Sequence, residues 1–134
     1  MIKKLWSTTP INPDFALLLL RFVSGVLIIT HGWPKLMNFA DRASTFADPL
    51  GIGSAPSLSL TIVAELVGGT LLCLGLFTRI ALLFLVGVMA VIVLFIHSDS
   101  PFTEKEYPIL LWATFFALYF TGPGRYSVDA ALKR

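Results

Sequence analysis

The chain has 134 residues, 56% of them hydrophobic and 13% charged, about half the roughly 25% charge of ordinary soluble domains. Ten basic and eight acidic side chains cannot keep in solution a unit this small, which exposes a large share of its surface, and a mean hydropathy of +0.82 agrees. A net charge of +2 is too small for a nucleic-acid footprint, a lone cysteine, Cys73, excludes an internal disulfide and a CxxC pair, and the apolar excess excludes disorder. The bilayer is the solvent that remains.

From the N-terminus, Met1-Ile-Lys-Lys followed by apolar residues from Phe15 superficially resembles a secretory leader. Arg21 interrupts its apolar region and no A-x-A-like stretch follows, so the segment reads as a retained first span. Asn12 is an N-cap candidate and Pro13 a first-turn proline, which together mark its start. Spans are expected over about 14–33, 58–77, 80–97 and 105–121. Because lipid offers no partner to a free peptide group, they are helices and not strands. In the fourth, Thr103-Glu-Lys-Glu106 reads as a capping box, while Pro108 predicts a kink or a later start. Between the first two spans, Met37–Ala47 reads as a short interfacial helix with Phe39 and Phe46 toward the membrane.

Only Thr78 and Arg79 separate the second and third runs, which predicts a tight antiparallel hairpin. Lys3, Lys4, Arg79, Arg125, Lys133 and Arg134 then share one side, against Lys35, Arg42 and Lys105 on the other. The positive excess puts both termini in the cytoplasm. The expected architecture is a single all-α membrane domain, 1–134: a four-helix bundle running up-down-up-down in a bacterial inner membrane.

Polar residues inside the spans carry the functional reading. On the first helix Arg21, Ser24, Gly25, Ile28, His31, Gly32 and Lys35 form one stripe; on the second, Thr61, Glu65, Gly68, Gly69 and Leu72 do the same. Small residues permit close approach and charge avoids lipid, so the two faces are expected to meet. Depths of about 10 Å for Arg21 and about 18 Å for Glu65 suggest that this pair meets across the helices. Two readings stay open for it, a pin that fixes helix register and a working part of a membrane cavity.

Both histidines, His31 and His97, fall near the outer interface, where solvated polar ends, a proton or quinone contact at His31, and haem ligation are all open. Their spacing shows no convergence on a metal, and no metal site is expected. Trp33, Tyr107 and Trp112 read as interface or packing aromatics, and Cys73 as a small hydrophobe. The chain has no P-loop, no GxGxxG after a strand and no Ser/His/Asp elbow.

The series Arg21-x3-Gly25-x5-His31-Gly32-Trp33-x-Lys35, Ala64-Glu65-Leu66-x-Gly68-Gly69, Leu74-Gly-Leu-Phe-Thr-Arg79 and Thr121-Gly-Pro-Gly-Arg-Tyr-Ser-Val-Asp129 resembles the DoxX family of small bacterial membrane proteins, from about Phe15 to Asp129. The resemblance implies an inner-membrane protein associated with quinone-linked redox or oxidative-stress systems, an oxidoreductase subunit at most, with quinone as the expected cofactor. It selects Arg21, His31, Lys35 and Glu65 as candidate cofactor-binding residues and Arg79 and Asp129 as structural or interface positions. No residue is assigned catalysis. Expected partners are the lipid bilayer, proteins of a redox complex and further copies of the chain, with no nucleic acid. Two other functions remain open, a non-catalytic scaffold that stabilises a larger complex and a pathway for protons or small solutes.

Overall fold

The computed structural model describes residues 2–134. Among the described residues there are helices and turns and no strand. In chain order they are α1 (Ile2–Leu5), α2 (Pro13–Met37), α3 (Phe39–Arg42), α4 (Ser54–Leu74), α5 (Thr78–Ile96), α6 (Phe102–Thr121) and α7 (Val128–Leu132). Helices α2, α4 and α5 are long and apolar enough to cross a membrane.

Local chemistry explains the boundaries, including those that differ from expectation. At the start of α2, the Asn12 side chain accepts the Phe15 N–H at 3.1 Å, with Pro13 next to it. The helix outruns the expected end near residue 33 and passes through Pro34 to Met37, because a proline one turn from a helix end removes a single hydrogen bond. Asn38 closes it, donating both its backbone N–H and its side-chain amide to Pro34 O.

Helix α4 starts four residues early, after a loop gathered around one carboxylate: Asp48 accepts from Ile52 N, Gly53 N and Ser57 Oγ at 2.8–3.0 Å. It also ends before Phe77. Gly75 turns left-handed at φ 68° and Phe77 follows at φ 47°, so the hairpin turn is Gly75–Phe77 and Thr78 already belongs to α5. Helix α6 begins at Phe102 and runs through Pro108. The bond lost there faces an exposed first turn that water can serve, so the later start is not needed. The expected interfacial helix shrinks to Phe39–Arg42, and Phe46 lines a groove between α4 and α5.

Helices α2 and α4 run antiparallel with their backbones in near contact. A Cβ on Gly25 would lie 2.6 Å from Cys73 Sγ and 2.9 Å from Gly69 O; one on Gly32 would lie 3.0 Å from Glu65 Cβ. The two small-residue stripes therefore meet as expected. Beyond α4, Ile28 and Leu72 pack with Leu82, Leu85 and Met89 of α5 and Leu111, Phe115 and Leu118 of α6 in one buried core.

Gly25→Ala is expected to lower stability by about 1–3 kcal/mol, since its methyl group meets backbone that cannot yield. Gly87→Ala on α5, whose added Cβ meets nothing within 4 Å, gains up to about 1 kcal/mol of helix propensity. Thermal-unfolding midpoints in mild detergent check the opposite signs.

Candidate functional site

The polar residues selected from the sequence separate into two groups at opposite ends of α2. The first holds Arg21 and Asp129. Arg21 is fully buried, and its Nη2 donates to Tyr126 O at 2.6 Å; Nε and Nη1 find no partner among the described residues. A side chain on Gly75 would collide with the guanidinium, so this left-handed position must be glycine on two grounds. Asp129 accepts from the N–H groups of Phe77 (2.8 Å) and Thr78 (2.9 Å), while its own N–H reaches Gly75 O at 2.9 Å. It caps α5 from a remote part of the chain, satisfying donors that a helix start leaves free. Asp14 Oδ1 accepts from Arg125 N at 2.9 Å, so the Gly122–Asp129 segment is laced to α2 and to the hairpin turn. Arg79 is exposed beside this segment, with its Nη2 3.7 Å from where a Cβ on Gly122 would lie.

The second group is centred on Glu65, only 1% exposed. Its partner is Lys35: Nζ lies 2.6 and 2.7 Å from the two carboxylate oxygens, the one ion pair among the described residues. This corrects the Arg21–Glu65 pairing. The antiparallel register puts Gly32 opposite Glu65 and Arg21 opposite Gly75. Glu65 is thus ten residues, about 15 Å of helix, from Arg21's level, beyond an arginine's reach. Lys35, one turn past Gly32, folds back to it.

Two cavities share Lys35. The larger, about 460 Å³, lies between α4 and α5 under the Phe46–Ile52 loop; its walls are apolar apart from Ser57, Thr61, Lys35 and His97. The smaller, about 240 Å³, is lined by Glu65, Lys35, His31, His97, Glu104 and Tyr107 over a floor of Ile28, Met89 and Leu111. Both flanking helices widen here into π-turns, Ala64–Gly68 in α4 and Ile92–Ile96 in α5, a distortion frequent at functional sites. The imidazole of His31 packs on the Tyr107 ring with centroids 4.8 Å apart, and His97 Nδ1 lies 3.2 Å from Ser100 Oγ.

His31, Lys35 and Glu65 are therefore brought together and Arg21 is not. The two histidines face one cavity, although no group of three or more His, Cys, Asp or Glu among the described residues has metal-site geometry. Sequence reasoning missed Tyr107, His97 and Glu104 as members of this cavity, together with Gly87 in the larger one. The available signal was their shared level: His97, Glu104 and Tyr107 flank the α5–α6 turn, at the end of the molecule where Lys35 lies.

A family model described as DoxX matches residues 16–98. Over 127 residues the chain is 29% identical to "Inner membrane protein YqjF" of Escherichia coli, covering 90% of this chain and 95% of that protein. It is 30% identical over 119 residues to "Putative oxidoreductase CatD" of Bacillus subtilis, covering 87% and 86%, and 31% identical over 122 residues to an uncharacterized protein of Haemophilus influenzae, covering 86% and 89%. No solved structure gives a significant match.

Lys35→Met strands a buried carboxylate and is expected to lower stability by about 3–5 kcal/mol, whereas adding Glu65→Leu removes the stranded charge and recovers most of the loss. A double-mutant cycle of unfolding free energies reads this coupling. At the other end, burial pushes the Asp129 carboxyl up, but hydrogen bonds from Thr78 and the Phe77 N–H outweigh it and hold the group below its usual value. Its contribution is therefore complete above the ordinary aspartate pKa of about 3.9 and is lost as pH falls through the lower folded value. Asp129→Asn is expected to lower the neutral-pH midpoint and flatten that acid dependence, measured by thermal unfolding between neutral and strongly acidic buffers.

Proposed function

The chain belongs to the DoxX family and is a multi-pass protein of the bacterial inner membrane, and from that premise we propose that it holds the head group of a membrane quinone as an accessory subunit of a redox complex. The observation that carries this reading is the 460 Å³ groove with Lys35, the cation of the Glu65 ion pair, in its wall. Its size falls in the usual range for small-molecule sites, apolar with a few convergent polar groups. Leu60, Leu83 and Phe84 at its rim are exposed on the membrane-facing surface, so a lipid-soluble molecule enters sideways. A quinone carbonyl there takes a hydrogen bond from Lys35 Nζ, whose third proton Glu65 leaves free, while its tail lies along the apolar rim. The oxidoreductase in the Bacillus subtilis relative's name supports redox chemistry, with electrons exchanged through a partner protein.

The reading includes a fourth span. Helix α6 contributes Leu111, Phe115 and Leu118 to the core. Its apolar part, Tyr107–Thr121, gives about 22 Å of helix, short of the roughly 30 Å hydrocarbon layer unless the first turn, with Glu104 and Glu106, lies in the head-group region. The four long helices then form an up-down-up-down bundle. The end carrying both termini also carries Lys3, Lys4, Arg79, Arg125, Lys133 and Arg134, whereas Lys35 at the other end is neutralised by Glu65. This asymmetry supports cytoplasmic termini.

A short-chain ubiquinone is expected to raise the thermal-unfolding midpoint of the detergent-solubilised protein in a concentration-dependent way, since a ligand of the folded state alone stabilises it. Gly87→Leu grows a side chain into the open groove and is expected to leave the ligand-free midpoint near that of the parent while abolishing the rise. A wild-type protein indifferent to quinone, or a rise that survives Gly87→Leu, overturns the proposal.

A further inference from the structure

We infer that the smaller cavity is a hydrated passage through which Glu65 exchanges protons with the aqueous surface at the α5–α6 turn. The inference deepens the proposed function, because a quinone oxidised or reduced in the neighbouring groove exchanges protons as well as electrons.

The cavity is polar where the groove is apolar. Around Glu65 of α4 it gathers His31 and Lys35 from α2, His97 from the residue that follows α5, and Glu104 and Tyr107 from α6, so titratable groups converge on it from every side. Its volume of about 240 Å³ has room for several waters, each occupying about 30 Å³ in the liquid. Beside this space Tyr107 Oη is buried with no hydrogen-bond partner among the described residues, and a buried hydroxyl is rarely left unbonded. The groups also span the depth. Glu104 and His31 are solvent-exposed, Tyr107 and His97 are half-buried, and Glu65 is enclosed. The π-turns of α4 and α5 border this space, and Met89 and Leu111 close it beneath.

The step itself is a proton transfer. The Glu65 carboxylate accepts a proton from a cavity water, breaking its ion pair with Lys35, whose ammonium keeps its own protons. The surface supplies the next proton to that water, and the reverse sequence returns it. No electron moves, and the enclosing residues serve as hydrogen-bonding relays.

In a Cys73→Ser background, Met89→Cys and Leu111→Cys at the cavity floor are expected to react with a charged, water-soluble methanethiosulfonate an order of magnitude faster than Leu85→Cys. Leu85 is fully buried and lines neither cavity. Infrared difference spectra on acidification are expected to show a growing carboxyl band that Glu65→Gln lacks, with Lys35→Met/Glu65→Gln as reference should the single variant not fold. Floor cysteines as unreactive as Leu85→Cys, or spectra with no Glu65-dependent band, overturn the passage. Neither measurement uses quinone. An intact quinone shift with unreactive cysteines sinks the passage alone, and reactive cysteines without a quinone shift sink the groove alone.

Discussion

Helices α2 and α4 cross so closely that a single methyl group at Gly25, Gly32 or Gly69 would meet the neighbouring helix, and the placement of every intramembrane charge follows from that contact. Glycine costs helix propensity, but in lipid, where no hydrophobic force drives helices together, close approach recovers the loss through packing. The contact also fixes register. With Gly25 against Gly69 and Gly32 against Glu65, Arg21 and Lys35 of α2 are directed to different levels of α4.

At one level a buried cation secures chain topology. Arg21 reaches Tyr126 O through the space that Gly75 leaves empty, and Asp129 from the same segment caps α5. The sequence-remote Gly122–Asp129 strip thus serves as capping material for the central hairpin. Its polar atoms answer backbone groups that apolar neighbours could not satisfy.

At the other level the Lys35–Glu65 pair divides two unlike spaces, a lipid-facing apolar groove and a polar cavity. A buried ion pair is weak evidence for stability, because desolvation offsets most of its attraction. Its position between the two spaces, with π-turns on both flanking helices, is what gives it a functional reading. The same pair that neutralises charge inside the membrane places a hydrogen-bond donor at the groove and an acceptor at the cavity.

Composition alone determined the solvent: too few charges for water and apolar runs of spanning length leave only helices in a bilayer. The stripes of α2 and α4 were equally legible, since glycines and charges at three- and four-residue spacing mark a helix's packing face. Tertiary structure decided the pairing. Whether Arg21 or Lys35 meets Glu65 depends on the relative height of two helices, and that height is fixed where Gly25 packs on Gly69 and Gly32 on Glu65. Tyr107, His97 and Glu104 join the site for the same reason. One-dimensional spacing orders residues along a helix, while their convergence is set by contacts between helices that no single helix encodes.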